Sequence, residues 1–111
     1  RSAAEILTRF TGSPTFYDGE TKTVEDIDGD GELDLLGQFT APANSNVFEA
    51  GPEEDVVLTW NTFVDAADEA GVSRLYGGIH IQDGDLRGRE MGIEIGAQVF
   101  SKAERLWTGA P

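Results

Sequence analysis

Ser73-Arg74 and, after the five residues Leu75-Tyr76-Gly77-Gly78-Ile79, His80 are the side chains with the clearest chemical capacity. Arg74 presents a planar fork of N–H donors that matches the oxygens of a tetrahedral oxyanion. His80, the only histidine in the chain, offers a neutral imidazole nitrogen able to attack or coordinate the central atom of that anion. A lone histidine in a glycine-rich turn often serves only as a polar filler or cap. An arginine at this offset shifts the reading towards an oxyanion site, with Ser73 as a hydroxyl that either joins it or bonds the backbone.

A second cluster is acidic. Asp26-Ile27-Asp28-Gly29-Asp30-Gly31-Glu32-Leu33-Asp34 puts carboxylates at positions 1, 3, 5 and 9 of a loop, with Gly31 at position 6. Calcium takes about six to eight oxygens, and such a loop converges Asp26, Asp28, Asp30, the Glu32 carbonyl and Asp34 on one point. Unscreened carboxylates this close repel one another, which favours a bound cation over a merely solvated turn. Position 12 is Gly37, and no amphipathic helix leads in or out, so the loop is not a full EF-hand. It resembles the aspartate-rich calcium loops of secreted and surface proteins, and this resemblance implies a structural site and an exported, periplasmic or extracellular, protein; a cytoplasmic location stays open.

The chain has 111 residues, no cysteine and a formal charge of −13. Residues 1–70 hold 16 of the 21 acids and 3 of the 8 bases, whereas residues 71–111 hold five of each. An anion therefore meets less repulsion in the second part, and nucleic acid is excluded as a partner by charge. Disulfides and thiolate metal sites are excluded as well. No apolar run reaches the roughly 20 residues of a membrane span. The chain starts at Arg1 directly in a helical pattern without a methionine, so a fragment, a processed product or one part of a split protein is expected.

The elements that must position these groups read as mainly α: a helical-bundle half of about three helices with a long irregular calcium-loop excursion. Ala3, Ile6, Leu7 and Phe10 mark a first helix that ends at Gly12. Residues 13–52 are rich in Gly, Pro, Asp and Asn and form the excursion. A second helix is predicted over Glu53–Ala70, with Trp60, Phe63, Val64 and Ala67 as its apolar stripe and Gly71 as its stop. The last helix is predicted from Asp83 or Asp85, either one its cap, to Leu106. Its stripe is Ile93, Gly96, Ala97 and Phe100, and Gly88, Gly92 and Gly96 form a ridge for close approach by the second helix or by a partner's helix.

The run from Ser73 to His80 resembles the last signature motif of the vanadium-dependent haloperoxidases and the related type 2 phosphatidic acid phosphatases: serine-arginine, five residues, histidine, three residues, aspartate. Leu58 to Phe100 resembles the C-terminal catalytic segment of the bacterial members, and Arg1 to Gly12 the helix immediately following their second motif. The resemblance implies one C-terminal segment over residues 1–111 with an insertion at 13–52. It implies vanadate as cofactor, bound by His80 and contacted by Arg74 and Gly78, with Ser73 alongside, and hydrogen peroxide and a halide as substrates. The aspartate of the motif falls on Gly84, flanked by Asp83 and Asp85, either of which could orient the imidazole. The lysine-arginine motif and the proline-serine-glycine-histidine motif are absent, so an upstream segment or a second chain is expected to complete the site in an oligomeric or larger assembly. The alternatives are a phosphatase with a phosphohistidine intermediate acting on a phosphoester, and a noncatalytic calcium-stabilised interaction module.

Overall fold

The structure, a computed structural model, describes residues 1–16 and 36–109. The calcium-loop residues Asp26, Asp28, Asp30, Glu32 and Asp34 lie outside the described residues. The chain divides into two compact units: Arg1–Thr15 together with Thr62–Pro111, and Phe16–Asn61.

The first unit is helical, as the bundle-half reading requires. Helix α1 spans Ser2–Thr11 and ends where Gly12 adopts φ 74°, its N–H donating to the Thr8 carbonyl at 3.0 Å. Helix α2 spans Phe63–Tyr76 and helix α3 spans Gln82–Thr108. Phe100 and Trp107 of α3 meet edge to face, with ring centroids 5.7 Å apart.

The second helix differs from its prediction at both ends. It starts at Phe63, not Glu53, because Thr62 and Asp65 form a reciprocal capping box: the Asp65 N–H donates to Thr62 Oγ1 at 3.0 Å and the Thr62 N–H to Asp65 Oδ2 at 3.1 Å. It then continues through Gly71 to Tyr76. A Cβ at Gly71 would collide with the Asp85 carboxylate and come within 2.8 Å of an Arg89 guanidinium nitrogen, so this glycine makes room for a neighbouring helix and does not end its own.

The glycine ridge of α3 faces α1, not α2. Gly92 and Gly96 are buried, and a Cβ on Gly96 would lie 2.8 Å from both the Glu5 Cβ and the Ser2 carbonyl oxygen. Gly88, one turn earlier, has open space. Ala4 is the buried hydrophobic side chain among the described residues, while Phe10, Ile79, Ile81, Leu86, Met91, Ile95, Val99 and Leu106 are exposed.

The second unit contains an antiparallel pair, β1 (Gln38–Ala41) and β2 (Val56–Thr59), in the register Gln38↔Thr59 to Ala41↔Val56. The excursion thus runs to Asn61, beyond the expected limit at 52, and takes up the first turns assigned to the second helix. The β-branched Val56-Val57 favours an extended backbone there. Trp60, expected on the helix, follows β2, where its N–H donates to the Gly37 carbonyl at 2.7 Å. Gly37 has φ 75°, and a Cβ on it would run into the Trp60 carbonyl oxygen.

Candidate oxyanion site

Ser73 and Arg74 sit in the last turn of α2, and His80 lies in the link from Gly77 to Ile81 that joins α2 to α3. The link is tied to the end of α2 by its backbone. Gly77 donates to the Ser73 carbonyl at 3.1 Å, Gly78 to Leu75 at 3.0 Å, and Ile79 to Arg74 at 3.2 Å. Gly78 has φ 67°, a left-handed conformation that turns the chain out of the helix. Its visible part in the site is therefore to let the chain turn towards His80.

The Ser73 hydroxyl donates to the Ala70 carbonyl at 2.7 Å and accepts the Arg74 Nε–H at 3.1 Å. The terminal nitrogens of the exposed Arg74 guanidinium remain unpaired among the described residues. The His80 imidazole is also exposed and makes no hydrogen bond to them. Among the described residues, His80 contributes to the walls of a pair of neighbouring clefts. One, of about 430 Å³, is walled by Gly78, Ile79, Ile81 and Gly84. The other, of about 220 Å³, brings His80 together with Arg1 of the α1 N-cap, Gly71 of α2, and Gly84, Asp85 and Arg89 of α3. Neither includes Arg74 or Ser73.

Arg1 and Arg89, neither of them among the residues expected to form the site, are the cations that share a cleft with His80. Both pair with Asp68, at 3.1 and 3.2 Å, and Arg89 also donates to Asp85 Oδ2 at 2.5 Å. The Asp85 hydrogen bond raises the Arg89 pKa further above its ordinary value, against the opposing effect of burial, so the group is a permanent cation. Arg89 pairs with Asp85 four residues earlier on α3, a spacing visible in the sequence. The approach of Asp68 and Arg1 depends on tertiary packing and has no local signal.

The predicted cap of α3 is corrected. Its N-cap is Ile81, which makes no side-chain capping bond; Asp83 and Asp85 lie within the first turn, near the positive end of the helix dipole. Asp83 bonds Arg87 at 3.0 Å on an open surface, whereas the Asp85 side chain is 8% exposed and lines the His80 cleft. Of the two candidates for the missing aspartate, Asp85 is the one that lines a cleft with the imidazole among the described residues.

Among the described residues, no group of three or more His, Asp and Glu side chains is arranged to hold a metal ion, and no helix is long and apolar enough to cross a membrane. A family model described as the VCPO second helical-bundle domain matches residues 1–109. The chain belongs to this vanadium haloperoxidase-related family, as a C-terminal helical part. Comparisons with curated proteins and with solved structures find no match.

Proposed function

We propose that the chain is the C-terminal half of a vanadium-dependent haloperoxidase-like enzyme, which oxidises halide with hydrogen peroxide at a vanadate bound by His80. An upstream segment or a partner chain supplies the remaining motifs. One observation carries this reading: Arg1 and His80 line the same cleft. Helix α1 resembles the helix that follows the family's second motif, so a segment joined ahead of Arg1 arrives beside the imidazole.

The surface of α3 supports completion by further helices. At about 100° per residue, Met91, Ile95, Val99 and Leu106 share one side and Leu86 and Ile93 another, and all are exposed. A surface helix ordinarily buries one apolar stripe, so two exposed apolar sides on α3 leave room for further packing partners.

The donor set suits an oxyanion. Among the described residues the His80 imidazole has no hydrogen-bond partner and Arg74 engages only its Nε, leaving its two terminal nitrogens for oxygens. Vanadate, when bound, supplies Lewis-acid activation of peroxide without metal redox. In this role His80 provides a ring nitrogen as ligand, and Arg74, which lines neither His80 cleft, balances negative charge on the oxygens once its exposed guanidinium swings towards the imidazole. Ser73 holds the base of the Arg74 guanidinium, and Gly78 allows the turn that carries His80.

Orthovanadate titration of the complete protein, with halide oxidation and phosphoester hydrolysis followed in parallel, tests the proposal. Saturable vanadate binding with peroxide-dependent halide oxidation is the expected result. Hydrolysis without halide oxidation replaces it with the phosphatase reading, and neither activity leaves the noncatalytic module.

A further inference from the structure

We infer that Arg89 is a positioning residue for His80, acting through a polar tie between α2 and α3. Its functional consequence rests on the proposed role of His80 as a cofactor ligand; its structural claim does not.

The imidazole itself is exposed and makes no hydrogen bond among the described residues. Its location is therefore set by the backbone of the link, which is anchored at both ends. Gly78 and Ile79 bond back to α2, and the Asp85 N–H donates to the Ile81 carbonyl at 3.1 Å as α3 begins. Where His80 sits thus depends on how α2 and α3 are set against each other.

Apolar packing does little to fix that relation, since α2 has no buried residue. Arg89 bridges the two helices instead. From α3 it reaches the Asp68 carboxylate at 3.2 Å and the Asp68 carbonyl at 3.1 Å, both on α2, while Asp85 holds the guanidinium from its own helix at 2.5 Å. Gly71 leaves the space that this pair fills. Arg1 reaches the same Asp68 oxygen as Arg89, so the start of α1 joins the tie. Arg87 provides an internal contrast: it pairs with Asp83 at the same spacing, but the two side chains are 72% and 73% exposed and the pair lies within α3 alone.

Because His80 is the only histidine, its ring gives a single set of imidazole NMR signals. Arg89→Lys keeps the charge but cannot span Asp68 and Asp85 with one planar fork. It should shift the His80 ring signals and the amides of residues 77–81 while leaving the Gly92 and Gly96 amides in place. Arg87→Lys should move none of them. Ring signals unchanged in Arg89→Lys, or moved equally by Arg87→Lys, overturn the inference. If Arg89→Lys does not fold, Gly71→Ala displaces the same pair without removing a charge and is compared in the same way. In the complete protein, Arg89→Lys should weaken orthovanadate binding about tenfold or more while the protein stays fully folded at the assay temperature. Wild-type protein that binds no vanadate refutes the cofactor reading and leaves the NMR comparison to decide on positioning; equal affinity in wild type and Arg89→Lys refutes the positioning role.

Discussion

Gly92 of α3 and Arg1 at the start of α1 meet so closely that a Cβ on the glycine would lie 2.9 Å from the Arg1 Cβ. The α1–α3 contact is therefore a backbone-level seam, and Gly92→Leu should cost about 1–3 kcal/mol by overpacking it. Gly88 faces open space on the same helix. Gly88→Ala should be neutral or stabilising by up to about 1 kcal/mol through helix propensity. Chemical denaturation of the two variants checks the contrast; equal effects contradict this assignment of the seam.

Thr62→Ala removes the hydroxyl that caps α2 and should destabilise the protein by about 1 kcal/mol. Glu53→Ala should have little effect on stability, because the helix begins ten residues later than its composition first implied. Thermal unfolding distinguishes these outcomes.

Which parts of this arrangement were legible in the sequence follows from the range of the forces involved. Helix α1 was readable because its apolar period and its Gly12 stop are both local. Trp60, Phe63, Val64 and Ala67 have helical spacing, yet the first belongs to the chain after β2 and the others to α2; the Thr62–Asp65 capping pair was the local signal that separates them. Gly71 looked like a terminator because its actual cause, the Asp85–Arg89 pair of another helix, is tertiary. The Ser73–His80 spacing singled out the candidate site, but not that Arg1 and Arg89 share the His80 cleft while Arg74 does not.

Gly84 stands where the motif has an aspartate, and a Cβ there meets only Ile81 Cγ1 at 3.6 Å, an ordinary contact. Asp83 and Asp85 are already engaged by Arg87 and Arg89. Gly84→Asp should therefore fold normally and tighten orthovanadate binding in the complete protein by offering a carboxylate for the imidazole. Equal or weaker binding, measured by equilibrium titration, contradicts an orienting role at this position.

The proposed calcium site of Asp26, Asp28, Asp30, Glu32 and Asp34 predicts a chelator-sensitive stability. Removing calcium should lower the unfolding temperature, readdition should restore it, and Asp28→Ala combined with Asp30→Ala should abolish the response. An unfolding temperature indifferent to chelator rules the site out.

The central claim is tested most directly by peroxide-dependent halide oxidation in the complete, orthovanadate-loaded protein, comparing wild type with His80→Ala. Wild type should oxidise halide, phosphate should compete with vanadate, and His80→Ala should lose the activity while retaining its fold, since no other histidine in this chain can replace the ligand. Halide oxidation that survives in His80→Ala would contradict the assignment of His80 as the cofactor's ligand.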